Sequence, residues 1–121
     1  MAHPTAPRRP QRLTVVLAQW CPHCVPLSQD HARRLAARLK VPLRILDIDR
    51  RGEVRLADRI VREHGDASPD YLIPQVFLEW SDGAIDHLFT GFSEQTARTD
   101  RAWRDLFASA WLKALLRPRA S

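Results

Sequence analysis

Residues 19–26, QWCPHCVP, contain both cysteines of the 121-residue chain, Cys21 and Cys24. Two cysteines separated by two residues can close a disulfide, because this spacing brings their side chains within reach of each other. The same pair can supply two thiolate ligands to a metal ion, or pack as two inert side chains. The neighbouring residues and the elements that position the pair decide among these three possibilities.

The residues around the cysteines favour redox chemistry. A closed zinc site uses four ligands, and the five histidines of the chain are not paired at ligand spacing; they are His3, His23, His31, His64 and His87. A thiolate site for a soft ion, with His23 nearby, stays open as an alternative. Inert packing is disfavoured because Pro22 and His23 suit the mouth of a helix better than a packed interior. We therefore expect no metal and no cofactor beyond a redox-active Cys21–Cys24 disulfide.

Hydrophobic periodicity predicts the elements that position the pair. Residues 13–18, LTVVLA, form a near-continuous apolar run that is typical of a strand covered on both faces, and this run leads to the cysteines. Apolar residues at three- and four-residue steps predict amphipathic helices at 24–40 and 53–64. A second strand is predicted between them at 43–48. A strand–helix–strand unit of this kind implies two parallel strands.

The second half of the chain predicts a hairpin followed by a helix. Residues 75–80 and 84–90 are strand-like and flank Asp82 and Gly83, a pair that favours a tight turn. Apolar residues at helical spacing between Trp103 and Leu115 predict one long helix that begins near residue 99 or 100. The predicted order is therefore βαβαββα. The apolar stripe of the last helix is wide, so we expect a monomer or a weak dimer.

This organisation resembles the thioredoxin-like superfamily. The resemblance rests on WCPHC at the end of the first strand, on Ile73 and Pro74 before the third, and on Gly91 after the fourth. It is closer to the compact form found in glutaredoxins, and it implies an α/β fold in which helices flank a four-stranded mixed sheet. It also divides the chain into a basic tail at 1–12, a thioredoxin-like domain at 13–116 and a short basic tail at 117–121.

The resemblance implies a thiol–disulfide oxidoreductase. Cys21 would be the nucleophile at the mouth of the first helix, where free N–H groups and the helix dipole stabilise a thiolate. Cys24 would resolve the mixed disulfide, and Pro22 would occupy the first helical turn. His23 would donate a hydrogen bond or a positive charge to the Cys21 thiolate.

A substrate-binding rim is also implied by the resemblance. A cis peptide between Ile73 and Pro74 would lie against the cysteines and offer the backbone N–H and C=O of Ile73 to an extended substrate. Trp20, Gly91 and Phe92 would complete the rim. The implied partners are a protein that carries a disulfide or a dithiol, and a reductase or thiol donor that regenerates the cysteines.

The chain departs from the family pattern at two places. Thioredoxins carry a buried carboxylate where this chain has Val15, so the proton of Cys24 must pass to another group. Asp47 and Asp49 approach the same edge of the sheet, although roles as a strand-end residue and a helix cap also account for them. The glutathione signature of glutaredoxins is not evident around Pro74. A glutathione-dependent glutaredoxin, a soft-metal carrier and a redox-controlled adaptor remain alternative functions.

Charge and hydropathy limit the partners. The net charge of +5 arises in the tails, because acidic and basic residues are equal in number between Leu13 and Leu116. A neutral domain does not favour nucleic-acid binding. No apolar run approaches the length of a membrane span, and residues 1–12 lack the apolar core of a secretory signal. The sequence therefore predicts a cytoplasmic protein without a membrane or nucleic-acid partner.

Overall fold

The computed structural model describes residues 8–92 and 95–117 of the chain. These residues form four strands and four helices. In chain order they are β1 (Pro10–Leu17), α1 (Leu27–Leu39), β2 (Leu43–Asp47), α2 (Arg51–His64), β3 (Gln75–Trp80), β4 (Ile85–Thr90), α3 (Thr96–Ala108) and α4 (Ala110–Leu115). The predicted succession of strands and helices is confirmed, except that the last helical segment is divided into two helices.

The four strands form one mixed sheet in the order β2-β1-β3-β4. β1 runs parallel to β2 and antiparallel to β3, and β3 runs antiparallel to β4. The sheet is flanked by helices, so the predicted α/β class with a four-stranded mixed sheet is confirmed. β1 is a central strand, and its residues 13–17 are fully buried, as the apolar run at this position predicted.

Asp82 and Gly83 make the turn between β3 and β4. Gly83 has φ of +90°, a backbone conformation that a residue with a Cβ rarely adopts. The N–H of Gly83 donates to the carbonyl of Trp80 at 3.0 Å, and the N–H of Trp80 donates to the carbonyl of Ala84 at 2.8 Å. The predicted Asp-Gly hairpin is therefore confirmed.

β1 begins earlier than the sequence predicted. The strand starts at Pro10, which pairs with Trp80 of β3, whereas the tail was predicted to extend through residue 12. Cross-strand ion pairing supports this extension, because Arg12 binds the carboxylate of Glu79 at 2.9 Å. Residues 1–7 of the predicted N-terminal tail and residues 118–121 of the C-terminal tail lie outside the described residues.

The predicted start of the first helix and the predicted extent of the last helix both need correction. α1 begins at Leu27 instead of residue 24, with Pro26 in the N-cap position. The helix that was predicted to begin near residue 99 or 100 begins at Thr96, as α3. It ends at Ala108, because the backbone of Ser109 is extended, with ψ of 147°. The Ser109 hydroxyl donates to the carbonyl of Leu106 and accepts from the N–H of Leu112. It thereby caps α4 and interrupts what periodicity alone predicts as one helix.

The helices divide between different parts of the sheet. α1 packs against β1 and α3, while α2 packs against β2 and β4. Trp103 of α3 is the largest fully buried side chain, and its indole stacks on the ring of His31 in α1 at a centroid distance of 5.5 Å. This packing holds α3 against α1, next to the loop that carries the cysteines.

Within residues 8–92 and 95–117, no helix combines the length and the apolar character required to cross a membrane.

Candidate functional site

The cysteines lie in a turn between the end of β1 and the start of α1. The N–H of Cys21 donates to the carbonyl of Ala18 at 3.1 Å, so the chain reverses directly after the strand. The N–H groups of Cys24 and Val25 both donate to the carbonyl of Cys21, each at 3.0 Å. This turn folds the two side chains together. The side chains of Cys21 and Cys24 lie 2.6 Å apart at their closest approach. Both cysteines are free and buried.

Cys21 does not lie directly at the mouth of α1, where the resemblance implied it. α1 begins six residues later, at Leu27, because Pro26 lacks an N–H and occupies its N-cap. Pro22 accordingly lies in the turn and not in a helix, and it is exposed to solvent. The N–H groups of Cys24 and Val25 are bonded to the carbonyl of Cys21, so these two groups do not point free donors at its thiol.

The thiol of Cys24 is buried, and its pKa is raised. Burial raises the pKa of Cys24 well above its ordinary value, and a hydrogen bond with Cys21 raises it further. The negative charges of Cys21 and Asp47 act in the same direction, while a backbone hydrogen bond at Ala18 opposes them. Cys24 therefore stays protonated at neutral pH, as suits a thiol that reacts second.

Asp47 lies at the carboxyl end of β2, close enough to Cys24 for its charge to act on the thiol. Its side chain is only 4% exposed, and one of its oxygens accepts from the N–H of Asp49 at 2.9 Å. A buried carboxylate beside a protonated thiol is a suitable acceptor for the thiol's proton. The sequence indicated Asp47 only as one of two aspartates near the sheet edge, and burial now distinguishes it from exposed Asp49.

His23 turns inward from between the cysteines. It is 5% exposed, and its Nε2 lies 3.0 Å from the carbonyl oxygen of Ile73. A carbonyl oxygen only accepts, so Nε2 carries the hydrogen. The other ring nitrogen, Nδ1, is buried and has no hydrogen-bond partner among residues 8–92 and 95–117. The Ile73 carbonyl, which we expected to face an extended substrate, is therefore occupied by His23.

A cavity of about 360 Å³ opens beside the cysteines. It is lined by Trp20, Cys21, Pro22, His23, Asp70, Tyr71, Ile73 and Thr96. Cys24 is not among the lining residues, so a molecule in this cavity meets Cys21 first. Trp20 is 68% exposed at its rim, where its indole Nε1 donates to the carboxylate of Asp49 at 2.6 Å.

Pro74 and Gly91, two residues of the predicted rim, do not line the cavity but contact each other. The Ile73–Pro74 peptide is cis, as predicted, and Pro74 is buried. The N–H of Gly91 donates to the carbonyl of Pro74 at 2.7 Å. A Cβ placed at Gly91 would lie 2.5 Å from Cδ of the Pro74 ring, so only glycine allows this approach. Phe92 does not line the cavity; it is partly exposed, and the guanidinium of Arg98 lies over its ring at 4.2 Å.

Three lining residues were missed by the sequence analysis: Asp70, Tyr71 and Thr96. Asp70 and Tyr71 precede Pro74 by only a few residues, and this proximity was the available signal. Tyr71 has φ of +46°, in the left-handed region, so the loop bends sharply there and brings its side chain back toward the domain. Thr96 opens α3, and nothing in its local sequence connects it with the cysteines.

Comparisons of the chain with protein-family models, with curated protein sequences and with solved structures give no match.

Proposed function

We propose that the protein is a thiol–disulfide oxidoreductase with a thioredoxin-like fold, in which Cys21 is the nucleophile and Cys24 the resolving thiol. The carrying observation is the unequal placement of two adjacent thiols. Cys21 lines the cavity beside Trp20, whereas Cys24 lies behind it, fully buried and with a raised pKa.

The reaction balances as a two-electron exchange. The Cys21 thiolate attacks one sulfur of a substrate disulfide; a Cys21–substrate disulfide forms, the substrate S–S bond breaks, and one substrate thiolate leaves. Cys24 then loses its proton, with Asp47 as the nearby acceptor, and attacks Sγ of Cys21. The second substrate thiolate leaves as the Cys21–Cys24 disulfide forms. The substrate is reduced, the protein dithiol is oxidised, and an external thiol donor restores the dithiol.

The cavity suits a protein substrate that inserts a loop. Its volume of about 360 Å³ accommodates a few side-chain-sized groups, and the exposed Trp20 indole offers an apolar surface at the rim. Because His23 occupies the Ile73 carbonyl, substrate contacts at this point depend on side chains and on the remaining backbone groups. We propose a disulfide-containing protein as substrate and a dithiol reductant as electron donor.

Trapping of the mixed disulfide tests this function. Cys24→Ser leaves Cys21 free to attack but removes the resolving thiol. Covalent complexes with a disulfide-bonded test protein should therefore accumulate, and dithiothreitol should release the test protein from them. Cys21→Ser should form none, and only the wild-type chain should catalyse repeated reduction in the presence of excess dithiol. Equal trapping by both serine variants, or no catalysis by the wild-type chain, would overturn the proposal.

A further inference from the structure

Three potential metal ligands converge in the turn that follows β1. One ring nitrogen of His23 and the Sγ atoms of Cys21 and Cys24 all lie within 4.8 Å of one another. All three side chains are buried, with exposed fractions of 5%, 1% and 0%. Such a separation allows a single ion to reach all three atoms after small side-chain rotations, because metal–sulfur and metal–nitrogen bonds are about 2.0–2.3 Å long.

The hydrogen bonding of His23 prepares one nitrogen for a cation. Nε2 donates to the carbonyl of Ile73, so the neutral ring presents a bare lone pair at Nδ1. That atom is buried, and no described residue of the chain makes a hydrogen bond with it. A ligating histidine typically donates its second ring N–H to a carbonyl or carboxylate, which fixes the tautomer and the ring orientation. His23 shows this arrangement, and a cation at Nδ1 would satisfy the atom that the protein leaves unpaired.

We propose that Cys21, Cys24 and His23 form a three-coordinate site for Cu⁺ when the cysteines are reduced. Two thiolates and an imidazole are soft and intermediate ligands, which select a soft monovalent ion. Zinc prefers a fourth ligand, and within the part of the chain that the structure describes no fourth His, Cys, Asp or Glu belongs to this cluster. The burial of all three side chains favours the lower coordination number.

Metal binding and disulfide exchange use the same thiols and exclude each other at any moment, although neither activity requires the other. Binding of Cu⁺ displaces the protons of both thiols to solvent and changes no oxidation state. Disulfide formation consumes both thiols, so the oxidised protein cannot hold the ion. The oxidation state of the pair therefore controls metal occupancy, whether or not the protein turns over a disulfide substrate.

Anaerobic titration of the reduced full-length chain with Cu⁺, against a chromophoric Cu⁺ chelator, tests the site. We expect one ion per chain, and X-ray absorption should show two sulfur neighbours and one nitrogen neighbour. His23→Ala should lower the affinity by roughly tenfold or more and remove the nitrogen neighbour. His64→Ala, which removes an imidazole at the end of α2 far along the chain, should leave affinity and coordination unchanged.

Several outcomes would overturn the site. They are an absence of stoichiometric binding, a wild-type spectrum with sulfur neighbours only, an unchanged affinity in folded His23→Ala, and tighter retention of Zn²⁺ than of Cu⁺ in the same competition. The wild-type spectrum decides the question even if His23→Ala fails to fold. If Cys24→Ser traps a substrate but the wild-type chain does not bind Cu⁺, only the metal site is rejected. If the wild-type chain binds Cu⁺ but Cys24→Ser traps nothing, only the oxidoreductase function is rejected.

Discussion

The indole Nε1 of Trp103 donates a hydrogen bond of 2.8 Å to the hydroxyl of Ser28, although 75 residues separate them in the chain. Ser28 in turn donates to the carbonyl of His23 at 2.6 Å. Both Trp103 and Ser28 are fully buried. One hydroxyl in α1 therefore joins the core of the domain to the backbone between the two cysteines.

Removal of this hydroxyl should destabilise the protein. Ser28→Ala leaves the Trp103 indole N–H without an acceptor and the His23 carbonyl without a donor. We expect the free energy of unfolding to fall by about 2–4 kcal/mol, because two buried polar groups lose their partners. Urea denaturation measures the change. Ser81→Ala is the control; Ser81 is exposed, and its loss should cost less than about 0.5 kcal/mol. Equal small effects from both variants would contradict the structural role of Ser28.

Gly91→Ala should disturb the loop behind the cavity. The new Cβ would lie 2.5 Å from Cδ and 2.9 Å from Cγ of Pro74, so the loop and the strand end must separate. We expect a loss of about 1–3 kcal/mol in stability, as for overpacking elsewhere, and slower reduction of a disulfide-bonded test protein.

Gly52→Ala is the matched control for this substitution. Gly52 lies in the first turn of α2, and a Cβ there meets nothing within 4 Å. Its replacement should raise the free energy of unfolding by about 0.4–1 kcal/mol, because alanine reduces the conformational entropy of the unfolded chain. Turnover should stay unchanged. If Gly91→Ala is as stable and as active as Gly52→Ala, the close contact with Pro74 has no functional consequence.

The two thiols should differ in their reaction with iodoacetamide. The pKa of Cys24 is raised first by burial, which persists when Cys21 is replaced. Since only the thiolate reacts, Cys24 in the Cys21→Ser variant should be alkylated at least about tenfold more slowly at pH 8 than Cys21 in the Cys24→Ser variant. Its rate should also keep rising between pH 7 and pH 10 without a plateau, because the thiolate fraction still increases there.

Mass spectrometry of timed samples measures both alkylation rates. Denaturation in guanidinium provides the control, because unfolded forms of the two variants should react at the same rate. A plateau for Cys24 below pH 9, or equal rates in the folded variants, would show that burial does not protect this thiol.

Glu79 should make stability depend on pH. Burial disfavours its ionised form, but hydrogen bonds from Arg12 and Thr14 and the charge of Arg44 outweigh this effect and hold its pKa below the usual 4.5. Arg44 binds the carboxylate at 2.6 Å. A carboxyl whose pKa is lower in the folded state than in the unfolded state stabilises the protein above the unfolded value. That contribution should disappear as the pH falls below 4.5 and through the lower folded value.

Glu79→Gln tests this dependence. The variant should lose about 1–3 kcal/mol of unfolding free energy at pH 7, because the partly buried arginine donors lose a charged acceptor. The gap from wild type should narrow as the pH falls below 4.5, where the wild-type carboxyl also becomes neutral. Glu63→Gln, on the exposed face of α2, should show no such narrowing. A gap that stays constant from pH 7 to pH 3 would exclude the ion-pair explanation.

The sequence by itself determined the succession of strands and helices up to the last helical segment, the hairpin turn, and the closeness of Cys21 to Cys24. These features are encoded locally: an apolar run specifies a buried strand, helical periodicity specifies an amphipathic helix, and Asp82 with Gly83 specifies a tight turn. Each signal spans a few residues, so it is legible without knowledge of the rest of the chain.

Only the tertiary structure decided how the site is assembled. Periodicity could not show that the hydroxyl of Ser109 ends one helix and caps the next, because this depends on individual hydrogen bonds. The contact of His23 with the Ile73 carbonyl joins groups 50 residues apart. The placement of Cys21 in the cavity lining, with Cys24 outside it, likewise arises when β1 and the helices pack together. Such long-range contacts depend on the folding of the whole domain, and they convert a recognisable cysteine pair into two thiols with different chemistry.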